Sequence, residues 1–231
     1  MSHQDIRVAT FDCYGTLIDW EGGIAAFLYD LALRRGDPSP EPGWKLREQW
    51  ETIQFEMIQG PYHPYEIILR ESLHRWCLAA GYAWEDDEGP ALVRAMRSWQ
   101  PFPDTRPALE RVKAAGWRLA ILSNTDRDII EHSLRHLAIP FDAVVTAEDC
   151  GSYKPATSNF EQLLTRIGES SDDVLHVAFG FKYDIGPAKQ LGFRTAWVNR
   201  HGENAPGPEQ PDYTWRDLWG LGGLARGGDL S

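Results

Sequence analysis

Four stretches of the 231-residue chain place groups able to do chemistry at or just past the ends of apolar runs. Ile6-Arg7-Val8-Ala9-Thr10-Phe11 is rich in β-branched and aromatic residues, and it delivers Asp12 into Cys13-Tyr14-Gly15-Thr16, where a glycine turns the chain. Ser123-Asn124 follows a second run, Trp117-Arg118-Leu119-Ala120-Ile121-Leu122. Lys154-Pro155 stands a short loop beyond a third, Ala143-Val144-Val145-Thr146. Tyr183-Asp184 lies just past a fourth, Val174-Leu175-His176-Val177-Ala178-Phe179. If these runs are parallel strands, the groups meet at one sheet edge, where open α/β sheets bind ligands. A carboxylate so placed can attack an electrophilic carbon when a cation keeps it ionised and desolvated.

The elements that must position these groups follow from periodicity. After Thr16 the pattern turns helical: Ile24, Phe27, Leu28, Leu31 and Ala32 recur at three- and four-residue intervals. A breaker-rich loop over 36–43 leads to a second helix with Leu46, Trp50, Ile53 and Met57 as its expected buried face. A third helix over 65–80 buries Ile68, Leu69, Leu73, Trp76 and Cys77, and a shorter fourth buries Leu92, Val93 and Met96. Beyond Pro101-Phe102-Pro103-Asp104 helices and strands alternate, with helices over 108–115, 126–137, 159–167 and 185–191. A strand at Thr195-Ala196-Trp197-Val198, a polar loop over 202–211, a short strand at Tyr213-Thr214-Trp215 and a Leu218-containing helix complete the chain, and 227–231 is expected to fray. The pattern predicts an α/β protein: a Rossmann-like parallel sheet core, residues 1–17 and 100–231, with an inserted four-helix cap, residues 18–99.

Composition narrows the function classes. A net charge of -11 argues against nucleic acid or an anionic membrane as the main partner, without forbidding a small anionic substrate met by local donors. No stretch approaches the roughly 20 apolar residues of a membrane span, and Met1-Ser2-His3-Gln4-Asp5 lacks the character of a signal peptide. Cys13, Cys77 and Cys150 are odd in number, distant and without metal-ligand spacing, which points to a reducing, cytoplasmic setting.

Asp12-Cys13-Tyr14-Gly15-Thr16, Ser123-Asn124, Lys154-Pro155 and Asp184 stand in the order of the four haloacid dehalogenase superfamily motifs, and the helical insertion after the first resembles that superfamily's cap. Within it the chain resembles the type II L-2-haloacid dehalogenases over nearly its whole length, closely at Leu122-Ser123-Asn124, Gly151-Ser152-Tyr153-Lys154-Pro155 and Gly192-Phe193-Arg194-Thr195-Ala196-Trp197-Val198-Asn199-Arg200. The resemblance implies that Asp12 is the nucleophile and that Lys154 neutralises Asp12 and Asp184. It gives Asp184 the positioning of the hydrolytic water, and Thr16 a buttressing hydrogen bond to Asp12. It gives Ser123 to the substrate carboxylate and Asn124 to the leaving halide, with Tyr14, Phe179 and Tyr183 beside them in the substrate site. Plainer roles stay open, since Ser123 or Asn124 can N-cap the helix at 126 and Asp184 the helix at 185.

Two absences point away from phosphatase relatives. Those relatives carry a second aspartate where Tyr14 stands, and a phenol with a pKa near 10 is a poor leaving-group acid. Their magnesium ligand falls where Phe179 stands, so a reaction without metal or cofactor is expected. The implied function is metal-independent hydrolysis of a carbon–halogen bond in short 2-haloacids through an aspartyl ester, giving 2-hydroxy acids. Alternatives are the same ester chemistry on another carbon–heteroatom bond, such as azetidine-2-carboxylate ring opening, a magnesium-dependent small-molecule phosphatase, or a binding protein with little catalysis. The expected partner is a small carboxylate, and the resemblance implies a homodimer. The chain departs from the dehalogenases it resembles at Phe179 and Phe181, where they carry polar residues, and at Phe160, where they carry a tyrosine. Their halide-binding arginine falls at Arg47 in one register and, in another that Trp50 and Gln54 favour, at Glu51.

Overall fold

In the computed structural model, which describes residues 6–225, six strands form one parallel sheet. They are β1 (Val8–Phe11), β2 (Arg118–Ser123), β3 (Ala143–Thr146), β4 (Val174–Ala178), β5 (Arg194–Val198) and β6 (Tyr213–Trp215), in the order β3-β2-β1-β4-β5-β6. β1 is central, and Phe11 lies beside Ile121 of β2 and Val177 of β4. The three neighbouring strands therefore end at one level, and the Asp12 N–H extends the ladder to the Val177 carbonyl at 3.2 Å.

Side-chain alternation explains why both faces of the sheet are covered. Val8, Ala120, Leu122 and Val174 point to one face, where they pack with Phe160, Leu163 and Ile167 of a helix at Thr157–Ile167. Ala9, Phe11, Leu119, Ile121 and Val177 point to the other, into a larger core fed by helices at Thr105–Ala114 and Arg127–Leu137.

The four expected helices are α1 (Trp20–Arg34), α2 (Gly43–Ile58), α3 (Tyr65–Ala80) and α4 (Glu88–Met96), packed α1 on α2, α2 on α3 and α3 on α4. The chain enters and leaves this bundle through adjacent segments: the Asp19 N–H meets the Gln100 carbonyl at 2.9 Å, and the Phe102 N–H meets Leu17 O at 3.1 Å. Gly23 lets Trp99 lie on α1, since a Cβ there would fall 2.4 Å from the indole nitrogen. Asp126 ties the bundle to the sheet layers, its carboxylate accepting the Tyr65 and Glu66 N–H groups, both at 2.8 Å, at the start of α3.

Some local expectations are corrected. The buried stripe of α2 is Leu46, Trp50, Gln54 and Ile58, with Ile53 and Met57 half-buried. Gln54 is inside because its amide donates to the Tyr65 hydroxyl at 3.3 Å, a tertiary partner that periodicity does not reveal. A short helix at Ala147–Cys150, capped reciprocally by Thr146 and Asp149, went unforeseen. The helix at Arg127–Leu137 is not capped by Ser123 or Asn124; the Arg127 N–H donates to Glu148 at 2.7 Å. Residues 227–231, expected to fray, lie outside the described residues. Among the described residues no helix is long and apolar enough to cross a membrane.

Candidate active site

Lys154, 1% exposed, sits at the centre of the sheet edge. Its ammonium donates to Asp12 Oδ1 at 2.9 Å, Asp184 Oδ1 at 2.6 Å and the Leu122 carbonyl at 3.0 Å, so all three of its N–H donors are placed. The backbone of Lys154 is clamped in turn. Asn124 Oδ1 accepts the Lys154 N–H at 2.7 Å, and Asn124 Nδ2 donates to the Lys154 carbonyl at 3.0 Å. Asn124 thus fixes the lysine from outside while still lining the cavity described below.

Asp12 is 7% exposed, and Thr16 donates to its other oxygen, Oδ2, at 2.8 Å. Thr16 Oγ1 itself accepts the Phe179 N–H at 2.8 Å, which leaves its proton for Asp12. Gly15 permits this loop: its φ of +91° suits glycine, and a Cβ there would lie 2.9 Å from the Phe179 ring. Asp184 is 2% exposed and belongs to a single π-helical turn, Phe181–Ile185, that runs into a helix at Gly186–Gln190. Its carboxylate turns inward to Lys154 rather than capping that helix.

Burial pushes the Asp12 carboxyl above its ordinary range; Lys154 opposes this and the nearby Asp184 charge adds to it. Burial would also raise Asp184, but Lys154 and His176 outweigh it and hold that carboxyl low. For Lys154 burial acts to lower the pKa, and the two carboxylates win and raise it.

These groups open onto a cavity of ≈ 100 Å³. Asp12, Ser123, Lys154 and Asp184 form its floor, and Trp20, Glu51, Gln54, Ile58 and Tyr65 enter from the helical bundle. Tyr14, Asn124, Phe179, Gly180 and Tyr183 complete the lining. Every sequence-predicted site residue but Thr16 therefore lines one cavity, and Thr16 touches it through Asp12. The Tyr14 hydroxyl is spent on Ser133 at 2.8 Å. The Ser123 hydroxyl is buried without a protein partner, so it is free to meet a bound polar group. Tyr183 packs edge-on against Phe55 of α2, at 5.1 Å between ring centroids.

The structure chooses between the two registers of α2. Arg47 is turned to Glu21, with Glu51 at 3.8 Å, and does not line the cavity; Glu51 does. Burial raises the Glu51 pKa, against Arg47 and with help from Glu48 and Glu203. A magnesium ion wants about six oxygens. Here both motif carboxylates give Oδ1 to an ammonium, Tyr14 turns its oxygen to Ser133 and position 179 offers a phenyl ring. The residues present do not fit such an ion.

Sequence reasoning passed over His176. It lies wholly buried within β4, with Nε2 3.0 Å from Asp184 Oδ1 and Nδ1 2.9 Å from Thr10 Oγ1. A polar residue inside the apolar run Val174-Leu175-His176-Val177 was the available signal, since a buried imidazole demands partners.

A curated (S)-2-haloacid dehalogenase from Pseudomonas fluorescens is 29% identical over 199 residues, spanning 85% of this chain and 86% of its own length. A crystal structure of an L-2-haloacid dehalogenase superposes with a TM-score of 0.86 at 24% identity, covering 96% of this chain and 99% of its own. A second, from Xanthobacter autotrophicus with chloropropionic acid covalently bound, gives 0.80 at 23%, covering 96% and 99%. The model of the haloacid dehalogenase-like hydrolases matches residues 6–192, most of the chain and all four motif stretches, and the protein belongs to that family.

Proposed function

We propose that the protein hydrolyses the carbon–halogen bond of short 2-haloacids through an ester on Asp12, without a metal. The observation that carries this reading is the buried Asp12–Lys154–Asp184 set at the floor of a small cavity. One ammonium between two carboxylates can keep Asp12 ionised in a dry site, where a carboxylate is a stronger nucleophile toward carbon. In the first step an Asp12 carboxylate oxygen bonds to C2 as the C–halogen bond breaks, the halide leaving with the electron pair. In the second, water adds to the ester carbonyl and the 2-hydroxy acid departs. N–H groups around Cys13, Tyr14 and Asn124 are the donors we assign to the developing oxyanion. The free Ser123 hydroxyl suits the substrate carboxylate, and Asn124, by holding Lys154, acts as much on the lysine as on a halide. Tyr14, Phe179 and Tyr183 shape the wall. We assign residues 1–17 and 100–231 to a core and 18–99 to a cap, and infer a cytoplasmic homodimer.

A second reading rests on Glu51. With Arg47 held by Glu21, the cavity lining carries three carboxylates and one ammonium. A halide leaving toward Glu51 meets like charge, whereas an amine leaving from a strained ring, as in azetidine-2-carboxylate, meets a complementary one.

Incubation with 2-chloropropionate, chloroacetate, azetidine-2-carboxylate and p-nitrophenyl phosphate, with and without magnesium, separates the readings. Halide release without magnesium, lost in Asp12→Asn, is expected. Ring opening in its place establishes the second reading, and magnesium-dependent phosphate release overturns both.

A further inference from the structure

We propose that His176, backed by Thr10, is the positioning residue that aims Asp184 at the water of ester hydrolysis. The inference rests on the aspartyl-ester reading and concerns its second step. Asp184 Oδ1 is saturated, lying 2.6 Å from the Lys154 ammonium and 3.0 Å from His176 Nε2. A carboxylate only accepts hydrogen bonds, so His176 Nε2 carries the proton between them. Nδ1 meets the Thr10 hydroxyl at 2.9 Å, so both ring nitrogens are occupied.

The ring cannot turn away. Phe160 and Phe193 flank it edge-on, at 5.4 and 6.2 Å between centroids, and the residue is wholly buried. Positions 160, 179 and 181, the nearby places where the chain departs from the dehalogenases it resembles, all carry phenyl rings. None of them offers a hydroxyl or amide to hold the carboxylate.

With Oδ1 pinned from two sides, rotation of the Asp184 carboxylate is blocked and Oδ2 is left at the cavity edge beside Gly180. A Cβ on that glycine would lie 2.8 Å from Oδ2, and both residues line the cavity. Oδ2 therefore accepts a hydrogen bond from a water lying between it and the Asp12 ester. That water's oxygen bonds to Asp12 Cγ and the Cγ–O(alkyl) bond breaks. The alkoxide keeps the pair and takes one water proton by way of Asp184. Asp12 is returned as the acid and ionises to solvent.

The test compares His176→Phe, which keeps the packing with Phe160 and Phe193, with His176→Gln, whose amide restores an N–H toward Asp184. With 2-chloropropionate as probe, His176→Phe is expected to slow ester hydrolysis by about 10- to 100-fold, the scale of one hydrogen bond to a charged group. Because ester formation is spared, kcat and KM fall together, kcat/KM holds, and intact-protein mass spectrometry shows the Asp12 ester accumulating. His176→Gln recovers much of the loss. Unchanged turnover in His176→Phe, or a fall in kcat/KM equal to that in kcat with no ester gained, overturns the proposal. A separate readout needs no substrate: ¹⁵N spectra of the resting enzyme are expected to show His176 protonated at Nε2, and a bare Nε2 overturns the assignment. Wild-type protein that releases no halide refutes the haloacid reading, and the ¹⁵N result then decides the His176 geometry on its own.

Discussion

Replacing Lys154 by Met should unfold the site's electrostatics before it touches its shape. Methionine fills similar volume, but Asp12 and Asp184, 7% and 2% exposed, lose the ammonium that each contacts within 3 Å. Removing one partner of a buried ion pair costs about 3–5 kcal/mol, and here two carboxylates are left facing each other's charge. The sign of the pH dependence follows from linkage. In the variant, burial lifts both carboxyls above their unfolded values, so the folded state holds protons that the unfolded state has released. Each such proton makes stability fall by roughly 1.4 kcal/mol per pH unit. In the parent, Asp184 is held low, which contributes stability that is lost only as pH falls through its folded pKa. The raised Lys154 pKa contributes stability up to the ordinary lysine range, lost as pH climbs through the folded value. Asp12 is raised in the parent as well and largely cancels, so the difference between parent and variant should widen from pH 5 to pH 7 by roughly 2–3 kcal/mol, for about one proton newly retained at Asp184. Urea unfolding at pH 5, 6, 7 and 8 measures it, and Asp12→Asn in the Lys154→Met background, which removes one of the stranded carboxylates, should recover a good part of the loss. A loss under about 1 kcal/mol at pH 7, or one that does not vary with pH, would mean that Lys154 does not hold the two buried carboxylates ionised.

Activity should show an acid limb set by Asp12. Its carboxyl is raised by burial and must be ionised to attack, so kcat/KM should climb with pH through a single ionisation above the ordinary carboxylate range; a limb at or below that range contradicts the assignment. Glu51→Gln should lower KM for 2-chloropropionate by about 5-fold, one charge contact of roughly 1 kcal/mol, and should flatten the rise of KM with pH as Glu51 ionises. An unchanged KM means that Glu51 does not face the bound acid. Asp126→Ala strips two backbone N–H groups of α3 of their acceptor and should cost about 1–2 kcal/mol in urea unfolding, whereas Asp128→Ala, on the exposed surface, should cost little.

Much of this was legible because it depends on local pattern. Strands whose apolar runs end in Asp12 and Ser123 announce themselves, and parallel pairing then forces their ends together. The missing acid at Tyr14 and missing ligand at Phe179 are read by subtraction. What escaped depends on contacts distant in sequence. Gln54 is inside α2's stripe because Tyr65 meets it, while Ile53 and Met57 are left half-exposed. Asn124 looked like a cap or a halide ligand, yet its amide is committed to a backbone 30 residues away. Asp126 lies next to the helix at Arg127–Leu137 but caps α3, 60 residues earlier. Trp50 and Gln54 favour the register of α2 that sets Glu51 at the site, and the structure agrees: Arg47, one turn away, is drawn to Glu21 while Glu51 lines the cavity.

In the aspartyl-ester mechanism Asp12, and not water, first bonds to the substrate carbon. A single turnover in H₂¹⁸O, with enzyme in excess over 2-chloropropionate, reads this directly. If Asp12 attacks, the oxygen of the first product comes from the carboxylate, so lactate is unlabelled and ¹⁸O appears in the Asp12 peptide. Lactate carrying ¹⁸O from that first turnover, with the Asp12 peptide unlabelled, would mean that water attacks C2 directly and that no Asp12 ester forms.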